Sequence, residues 1–372
     1  MHILFAGGGT AGHINPALAI AGYFSEQDKN VKISYIGTAN KLEAQLVPEA
    51  GYDFYTIDIA GFRRSFKPKA IAHNIITVKK AISASMAAKK LLKRLSPDLV
   101  VGTGGYVSGP VLRAAAKLHI KTAIHEQNAF PGVTTKMLAP LVDVVMLAMP
   151  EAEKYLNPKS KPVVTGNPVR GAFLKLDRAA SRKALSLDDR PMVLSFGGSL
   201  GARPLNEAVA KFIANTYKSG KYIYYHATGK VGYEPFLSLL KEQGVDINAE
   251  NLHITEYINN MSDCMAASDV IVGRAGAITL TEIEASGRAS LLIPSPYVAE
   301  NHQYHNAMTL KNRNAAVVIE EKNLSGDVLT SELLKLLDNS EKAEAMGKNA
   351  GKMAITDANK RIYDALMKLY NS

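Results

Sequence analysis

The stretch Ser268-Asp-Val-Ile-Val-Gly-Arg-Ala-Gly-Ala-Ile-Thr-Leu-Thr-Glu-Ile-Glu-Ala-Ser-Gly287 decides the fold. Val270-Ile271-Val272 is β-branched and bounded by Asp269 and Gly273, so it reads as a short buried strand. Gly273 and Gly276 allow a tight turn, and Ala277 to Ala285 reads as a helix. A strand that turns through glycines into a helix start leaves backbone N–H groups free, with the positive end of the helix dipole behind them. That arrangement suits an anion such as a diphosphate. Glu282 lies about a turn and a half into the helix, and its carboxylate can accept hydrogen bonds from both hydroxyls of a ribose. Alone, the stretch also fits an ordinary βα unit with a solvated glutamate.

The same pattern recurs on both sides. His2 to Ala6 reads as a strand, followed by Gly7-Gly8-Gly9-Thr10-Ala11-Gly12-His13 and a helix from Pro16 to Phe24. Gly7, Gly9 and Gly12 match G-x-G-x-x-G, but the second strand, Lys32 to Ile36, ends in Gly37-Thr38-Ala39-Asn40 with no acid to hold a ribose. NAD or FAD is therefore not expected at this loop, and no cofactor is expected. Further strands are read at 54–59, 98–101, 121–125, 142–147 and 163–164, and then at 192–196, 221–227, 252–257, 289–293 and 315–319. Gly102 to Pro110 and Gly197 to Arg203 are two more glycine loops that precede helices. Strand, glycine loop and helix in alternation predict α/β architecture, with two doubly wound parallel sheets and ligands at the strands' C-terminal ends. At 372 residues two domains are expected, at 1–168 and 169–352.

Charge narrows the function. The formal net charge is +10. Between Ile59 and Pro97 stand ten basic residues, Arg63, Arg64, Lys67, Lys69, Lys79, Lys80, Lys89, Lys90, Lys93 and Arg94, with no Asp or Glu. Ile71, Ile75, Ile76, Val78, Ile82, Met86, Leu91, Leu92 and Leu95 recur among them at helical spacing. The segment reads as an amphipathic surface for anionic lipid, or as a domain helix with a basic solvent face. Nucleic acid is not expected as a partner, because no aromatic residues interleave with the lysines. No uncharged apolar run reaches the ~18 residues of a membrane span, so any membrane contact is peripheral. The single cysteine, Cys264, allows no intrachain disulfide.

The chemistry-bearing residues fall into two inventories. The C-terminal half offers the anion site from Gly276 onward, Glu282, and the donors Ser199, Thr279 and Gln303, which suits a nucleotide diphosphate carrying a sugar. The N-terminal half offers Gly8-Gly9-Thr10, His13, Tyr106, Glu126 and Asn128 beside the basic flank, which suits an anionic acceptor. No HExxH, paired-cysteine spacing or D-x-D occurs, and His302 with His305 lacks a third ligand, so no metal is expected. His13, at the mouth of the first glycine loop, is the leading candidate for a general base, and Glu126 is the second.

In order and spacing, these motifs resemble the MurG family: Gly8-Gly9-Thr10-Ala11-Gly12-His13 with Asn15-Pro16, Gly104-Gly105-Tyr106-Val107-Ser108-Gly109-Pro110, His125-Glu126-Gln127-Asn128, Gly166-Asn167-Pro168-Val169-Arg170, Gly197-Gly198-Ser199 with Gly201-Ala202-Arg203, and Arg274-Ala275-Gly276-Ala277 with Thr279 and Glu282. The resemblance spans essentially the whole chain. It implies a GT-B fold, with two Rossmann-like domains facing a deep cleft and a last helix (353–372) returning to the N-terminal domain. It implies an inverting, metal-independent transfer of GlcNAc from UDP-GlcNAc to the C4 hydroxyl of undecaprenyl-diphospho-muramoylpentapeptide, converting lipid I to lipid II for peptidoglycan on the cytoplasmic face of the membrane. The implied donor contacts are Thr10, Ala11, Gly12, Asn128, Arg170, Ser199, Ile258, the run Ala277, Ile278, Thr279, Leu280, Thr281 and Glu282, and Gln303. The implied acceptor and diphosphate side includes His13, Gly104, Gly105, Tyr106 and Glu126, with Arg63, Arg64, Lys67, Lys69, Ile75, Lys79 and Lys80 toward the membrane. Ala11 stands where many members have glycine, and Leu200 where some have glutamine. Two other readings fit the same architecture: a UDP-GlcNAc 2-epimerase-like enzyme, which needs no lipid, and a non-catalytic membrane-associated nucleotide-sugar binder.

Overall fold

A computed structural model of the chain describes residues 1–59, 68–169 and 171–372, with the side chains of 68–79, 81 and 82 outside that description. The chain forms two compact units, Met1–Pro168 with Asp357–Ser372, and Val169–Thr356.

The first unit contains β1 (His2–Gly7), α1 (Ala11–Gln27), β2 (Lys32–Gly37), α2 (Glu43–Glu49), β3 (Asp53–Thr56), α3 (Pro68–Leu95), β4 (Leu99–Gly104), α4 (Gly105–Lys117), β5 (Lys121–Glu126), α5 (Val133–Leu138), β6 (Val144–Leu147) and β7 (Val163–Val164). The strands pair in parallel in the order β3-β2-β1-β4-β5-β6-β7. All six residues of β1 and of β4 are buried, as a parallel sheet covered on both faces requires. Alternate residues serve alternate faces. Leu4, Ala6, Val100 and Ile124 pack with Ala84, Ala88 and Leu92 of α3 and Val107 and Val111 of α4. Ile3, Phe5, Leu99 and Val101 pack with Ile14, Ala17 and Ile20 of α1.

The second unit contains α6 (Arg178–Ala184), β8 (Met192–Phe196), α7 (Arg203–Thr216), β9 (Ile223–Ala227), α8 (Tyr233–Glu242), β10 (Leu252–Thr255), α9 (Met261–Ala267), β11 (Val270–Gly273), α10 (Ala277–Ser286), β12 (Ala289–Leu292), α11 (His302–Lys311), β13 (Val317–Val318), α12 (Gly326–Leu337) and α13 (Ser340–Gly351). Its parallel sheet runs β10-β9-β8-β11-β12-β13. Strand order reverses between β1 and β4 in the first sheet and between β8 and β11 in the second. Loops at such a switch point diverge and leave a crevice at the strands' C-terminal ends. The glycine loops fall there.

The last helix, α14 (Ala358–Asn371), belongs to the first unit. Its buried stripe, Ala358, Ile362, Leu366 and Leu369, lies at i, i+4, i+8 and i+11. Tyr363 rests on Phe24 with ring centroids 4.7 Å apart. Ile362 and Leu366 are fully buried, and each contributes about 1.5–3 kcal/mol on leaving water. The helix starts at Ala358 rather than at residue 353, because the apolar repeat that buries it begins only there.

The described half of the basic segment, from Lys80 onward, shows two things. The apolar stripe of the basic segment does not wholly face outward: Leu92 is completely buried in the core, and Leu91 and Leu95 pack partly against it. This half of α3 is a domain helix, and Met86, at 64 % exposure, is its outward exception. Lys80 Nζ lies 2.8 Å from Asp58, one residue before the acid-free stretch begins. Arg63, Arg64 and Lys67, and the side chains of Lys69, Ile75 and Lys79, lie outside the described residues.

Both units bury a histidine. His226 on β9 is fully buried, with Nδ1 2.8 Å from Ser195 Oγ and 3.1 Å from the Ser195 carbonyl. Burial pushes it down to about 3. An unfolded histidine binds its proton near pH 6.5, so between about 6.5 and 3 only the unfolded chain is protonated. Stability is then lost as pH falls, at about 1.4 kcal/mol per pH unit from this group. Burial also lowers His125 in the first unit, with the same sign. The urea midpoint is expected to drop between pH 6.5 and 5, and His226→Gln to flatten that drop. An equal slope in the variant would refute the assignment.

Candidate active-site loops

In the first unit, α1 begins at Ala11 and α4 at Gly105, so both glycine loops are shorter than their sequences suggest. Ala11, Gly12, His13, Gly105 and Tyr106 stand in first helical turns. Thr10 is the exposed residue preceding α1, and neither helix has a side-chain cap.

The two loops meet around His13. Its Nδ1 lies 3.1 Å from the Thr103 carbonyl and 3.4 Å from Gln127 Oε1. A main-chain carbonyl only accepts, so Nδ1 carries the hydrogen and Nε2 keeps a lone pair. The ring is half-buried. Gly104 (φ +104) leaves it room: a Cβ there would sit 2.6 Å from His13 Nδ1. Gly105 (φ +75) presses against the other loop, and its Cβ would meet the Gly8 carbonyl oxygen at 2.3 Å. Gly105→Ala should cost about 1–3 kcal/mol in backbone strain and push the loops apart. Thermal unfolding would read the loss of stability, and unchanged stability would mean that the loops do not touch in solution.

Tyr106 lies beside Gly9. Burial, with a further contribution from the Glu43 charge, raises its hydroxyl above the ordinary tyrosine range. Glu43, not recognised from the sequence, is completely buried. Its carboxylate accepts from Gly9 N (3.1 Å), Thr38 N (3.2 Å) and Thr38 Oγ1 (2.6 Å). The acid missing from the end of β2 thus arrives from α2 and takes the loop's own N–H, leaving that N–H unavailable to a dinucleotide diphosphate. Its only signal was an acid five residues beyond Thr38.

Glu126 does not have the geometry of a general base. It is 3 % exposed, and both oxygens are occupied by Asn128 N (3.1 Å), Asn128 Nδ2 (3.0 Å), Gly132 N (3.0 Å) and Thr135 Oγ1 (2.5 Å). Four donors on one buried carboxylate make it the clamp of the loop after β5, and its Asn128 bonds orient that amide.

In the second unit, the loop after β11 is held from two sides. Arg274 donates to the Ile293 carbonyl at 3.0 Å and pairs with Glu321, and Asn306 Nδ2 donates to the Ala275 carbonyl at 3.2 Å. Gly276 caps α10 with φ −67° and ψ 141° and no side-chain hydrogen bond. Gly276 thus offers no side-chain cap to the first-turn N–H groups of Ala277, Ile278 and Thr279. Leu280 is wholly in the core, Thr281 returns its hydroxyl to the Ala277 carbonyl at 3.0 Å, and Glu282 is 7 % exposed. The Leu280 side chain thus serves the core, and the Thr281 hydroxyl donates within the helix. Ile258 is buried, Ser199 and Leu200 are exposed, and Gln303 Oε1 accepts from Ser295 N at 2.9 Å. Arg170 lies outside the described residues. Among the described residues, no cluster of three or more His, Cys, Asp or Glu could hold a metal ion, and no helix is long and apolar enough to cross a membrane.

Comparison with known proteins identifies both halves of the chain. The glycosyltransferase family 28 N-terminal domain matches residues 3–147, and the family 28 C-terminal domain matches residues 192–362. The UDP-N-acetylglucosamine–N-acetylmuramyl-(pentapeptide) pyrophosphoryl-undecaprenol N-acetylglucosamine transferase of Acetivibrio thermocellus is 46% identical over 98% of this chain and 97% of its own length. The crystal structure of Acinetobacter baumannii MurG superposes with a TM-score of 0.78 at 29% identity, covering 99% of each chain. A Neisseria meningitidis UDP-GlcNAc 2-epimerase superposes at 0.64 with 16% identity, over 99% of this chain and 100% of that one, which shows shared fold alone. With both family 28 domains in order and full-length relatives at this identity, the chain belongs to the MurG family of GT-B N-acetylglucosaminyltransferases.

Proposed function

We propose that this chain transfers GlcNAc from UDP-GlcNAc to the C4 hydroxyl of undecaprenyl-diphospho-muramoylpentapeptide, with inversion and without a metal. The observation that carries this reading is His13, whose Nδ1–H is committed to a carbonyl while Nε2 keeps its lone pair. Nε2 accepts the proton of the acceptor hydroxyl as its oxygen attacks the anomeric carbon. The bond from that carbon to the UDP oxygen breaks, and UDP leaves with the electron pair. One displacement from the opposite face inverts the centre.

The donor belongs to the second unit. The first-turn N–H groups of Ala277, Ile278 and Thr279, with the α10 dipole, meet the charge that develops on the departing diphosphate. Glu282 accepts both ribose hydroxyls. Ser199, Ile258 and Gln303 border the nucleotide-sugar on this unit. On the first unit the α4 start, Gly104, Gly105 and Tyr106, takes the acceptor's diphosphate. The basic segment that includes Arg63, Arg64, Lys67, Lys69, Lys79 and Lys80 rests peripherally on anionic lipid at the cytoplasmic face.

Release of UDP from UDP-GlcNAc, followed with the acceptor in anionic or neutral vesicles, tests the reading. UDP should appear only with acceptor, and faster on anionic vesicles at low salt. A 2-epimerised nucleotide sugar formed without acceptor would instead favour the epimerase.

A further inference from the structure

His125, Gln127 and Asn167 form a buried polar chain directly behind His13. His125 Nε2 lies 2.9 Å from the Gly166 carbonyl, so it carries the hydrogen and Nδ1 accepts. Gln127 Nε2 lies 3.0 Å from the His125 carbonyl and 3.1 Å from His125 Nδ1, both acceptors. The amide is therefore fixed with its NH2 toward His125 and its oxygen toward His13, 3.4 Å from Nδ1. Asn167 Nδ2 donates to the Gln127 carbonyl at 3.2 Å. His125 and Gln127 are 0 % and 2 % exposed. Every orientation in the chain ends on a main-chain carbonyl, which can only accept, so no member can reverse alone.

We infer that Gln127 is a positioning residue for His13, held in one amide orientation by His125 so that its carbonyl oxygen faces the imidazole Nδ1–H. The inference rests on reading His13 as the base. When Nε2 takes a proton, the ring becomes a cation whose Nδ1–H points at two carbonyl dipoles, those of Thr103 and Gln127. Both orient the ring beforehand and both favour the cation. A neutral amide does this without placing a fixed negative charge beside the site. Among the described residues, other titratable groups around the glycine loops include Tyr35, whose hydroxyl lies beside Gly7, Tyr106 on α4, Glu43 behind Gly8 and Gly9, and Glu126 behind Asn128. Because burial lowers His125, it stays neutral and keeps accepting from Gln127 at neutral pH.

Two variants separate this role from a merely structural one. Gln127→Glu is isosteric and places a carboxylate at the Nδ1–H, which should move the His13 ring titration, followed by imidazole NMR, to higher pH. The acid limb of the kcat profile should move with it. Gln127→Leu removes the acceptor and should move both to lower pH, with kcat down about tenfold, the scale of one hydrogen bond to a charged group. Donor KM should hold within about twofold. His13→Ala, which removes the ring, identifies the His13 resonances and serves as the control for turnover. If the ring titration does not move in either variant, Gln127 does not position His13, whatever the turnover. If it moves as expected while His13→Ala retains full turnover, the coupling stands and the assignment of His13 as base fails.

Discussion

His13→Ala lowers turnover by about 10²–10⁴-fold, the usual contribution of a positioned general base, while the donor KM stays near that of the parent chain. The ring sits half-exposed at the start of α1, so its removal forfeits only the bonds to Thr103 and Gln127. The stability cost is about 1 kcal/mol, and the chain remains folded. Glu126→Gln provides the contrast. Its carboxylate is consumed by four donors, among them Gly132 N and Thr135 Oγ1. That variant should lower the melting temperature and loosen the Asn128 loop without removing the pH limb that His13 contributes. Rates measured across pH for both variants decide between the two residues. If Glu126→Gln abolishes the limb and His13→Ala keeps it, the roles are exchanged.

Glu282→Ala raises the donor KM by about 10–100-fold with a smaller change in kcat. A buried carboxylate that accepts from two hydroxyls loses two charge-assisted hydrogen bonds, each worth about 1.5–3 kcal/mol, and part of that is returned because a desolvated charge is also removed. Its 7 % exposure means that the carboxylate is already largely out of water, which strengthens such bonds. The ribose assignment has a sharper test in the 2′-deoxy analogue of the donor. The parent chain should bind the analogue more weakly than UDP-GlcNAc, and Glu282→Ala should bind the two alike. Equal discrimination by both chains would move Glu282 off the ribose.

The fold was legible because its signal is one of alternation. A parallel strand buried on both faces reads as a continuous apolar run, as His2-Ile-Leu-Phe-Ala-Gly7 does, and each run leads into glycines. Helix starts were harder. Gly12 with Pro16, and Gly105 with Pro110, are residues that propensity places outside helices. Tertiary contact overrides that preference: Gly105 is needed where α4 meets the Gly8 carbonyl, and Ser108 reaches the Ala6 carbonyl at 2.7 Å. The site was legible as residue types but not as roles. Nothing local to Glu126 reveals that Gly132 and Thr135 will occupy it. Glu43 was missed because its partners, Gly9 and Thr38, reach it only once α2 folds back against β2 and α1. In the described half of α3, Leu91, Leu92 and Leu95 turn inward, but spacing does not say whether lipid or a sheet covers an apolar face, and for Leu92 it is the sheet.

The measurement that bears most directly on the proposed reaction is transfer of labelled GlcNAc from UDP-GlcNAc to a lipid-diphosphate-muramyl-pentapeptide acceptor, with excess chelator present. The predicted result is labelled lipid product at an undiminished rate, which would fix donor, acceptor and metal independence together. Measurable UDP-GlcNAc binding with no labelled lipid would contradict the transferase reading, and product that vanishes with chelator would contradict a leaving group stabilised by Ala277–Thr279 and the α10 dipole alone.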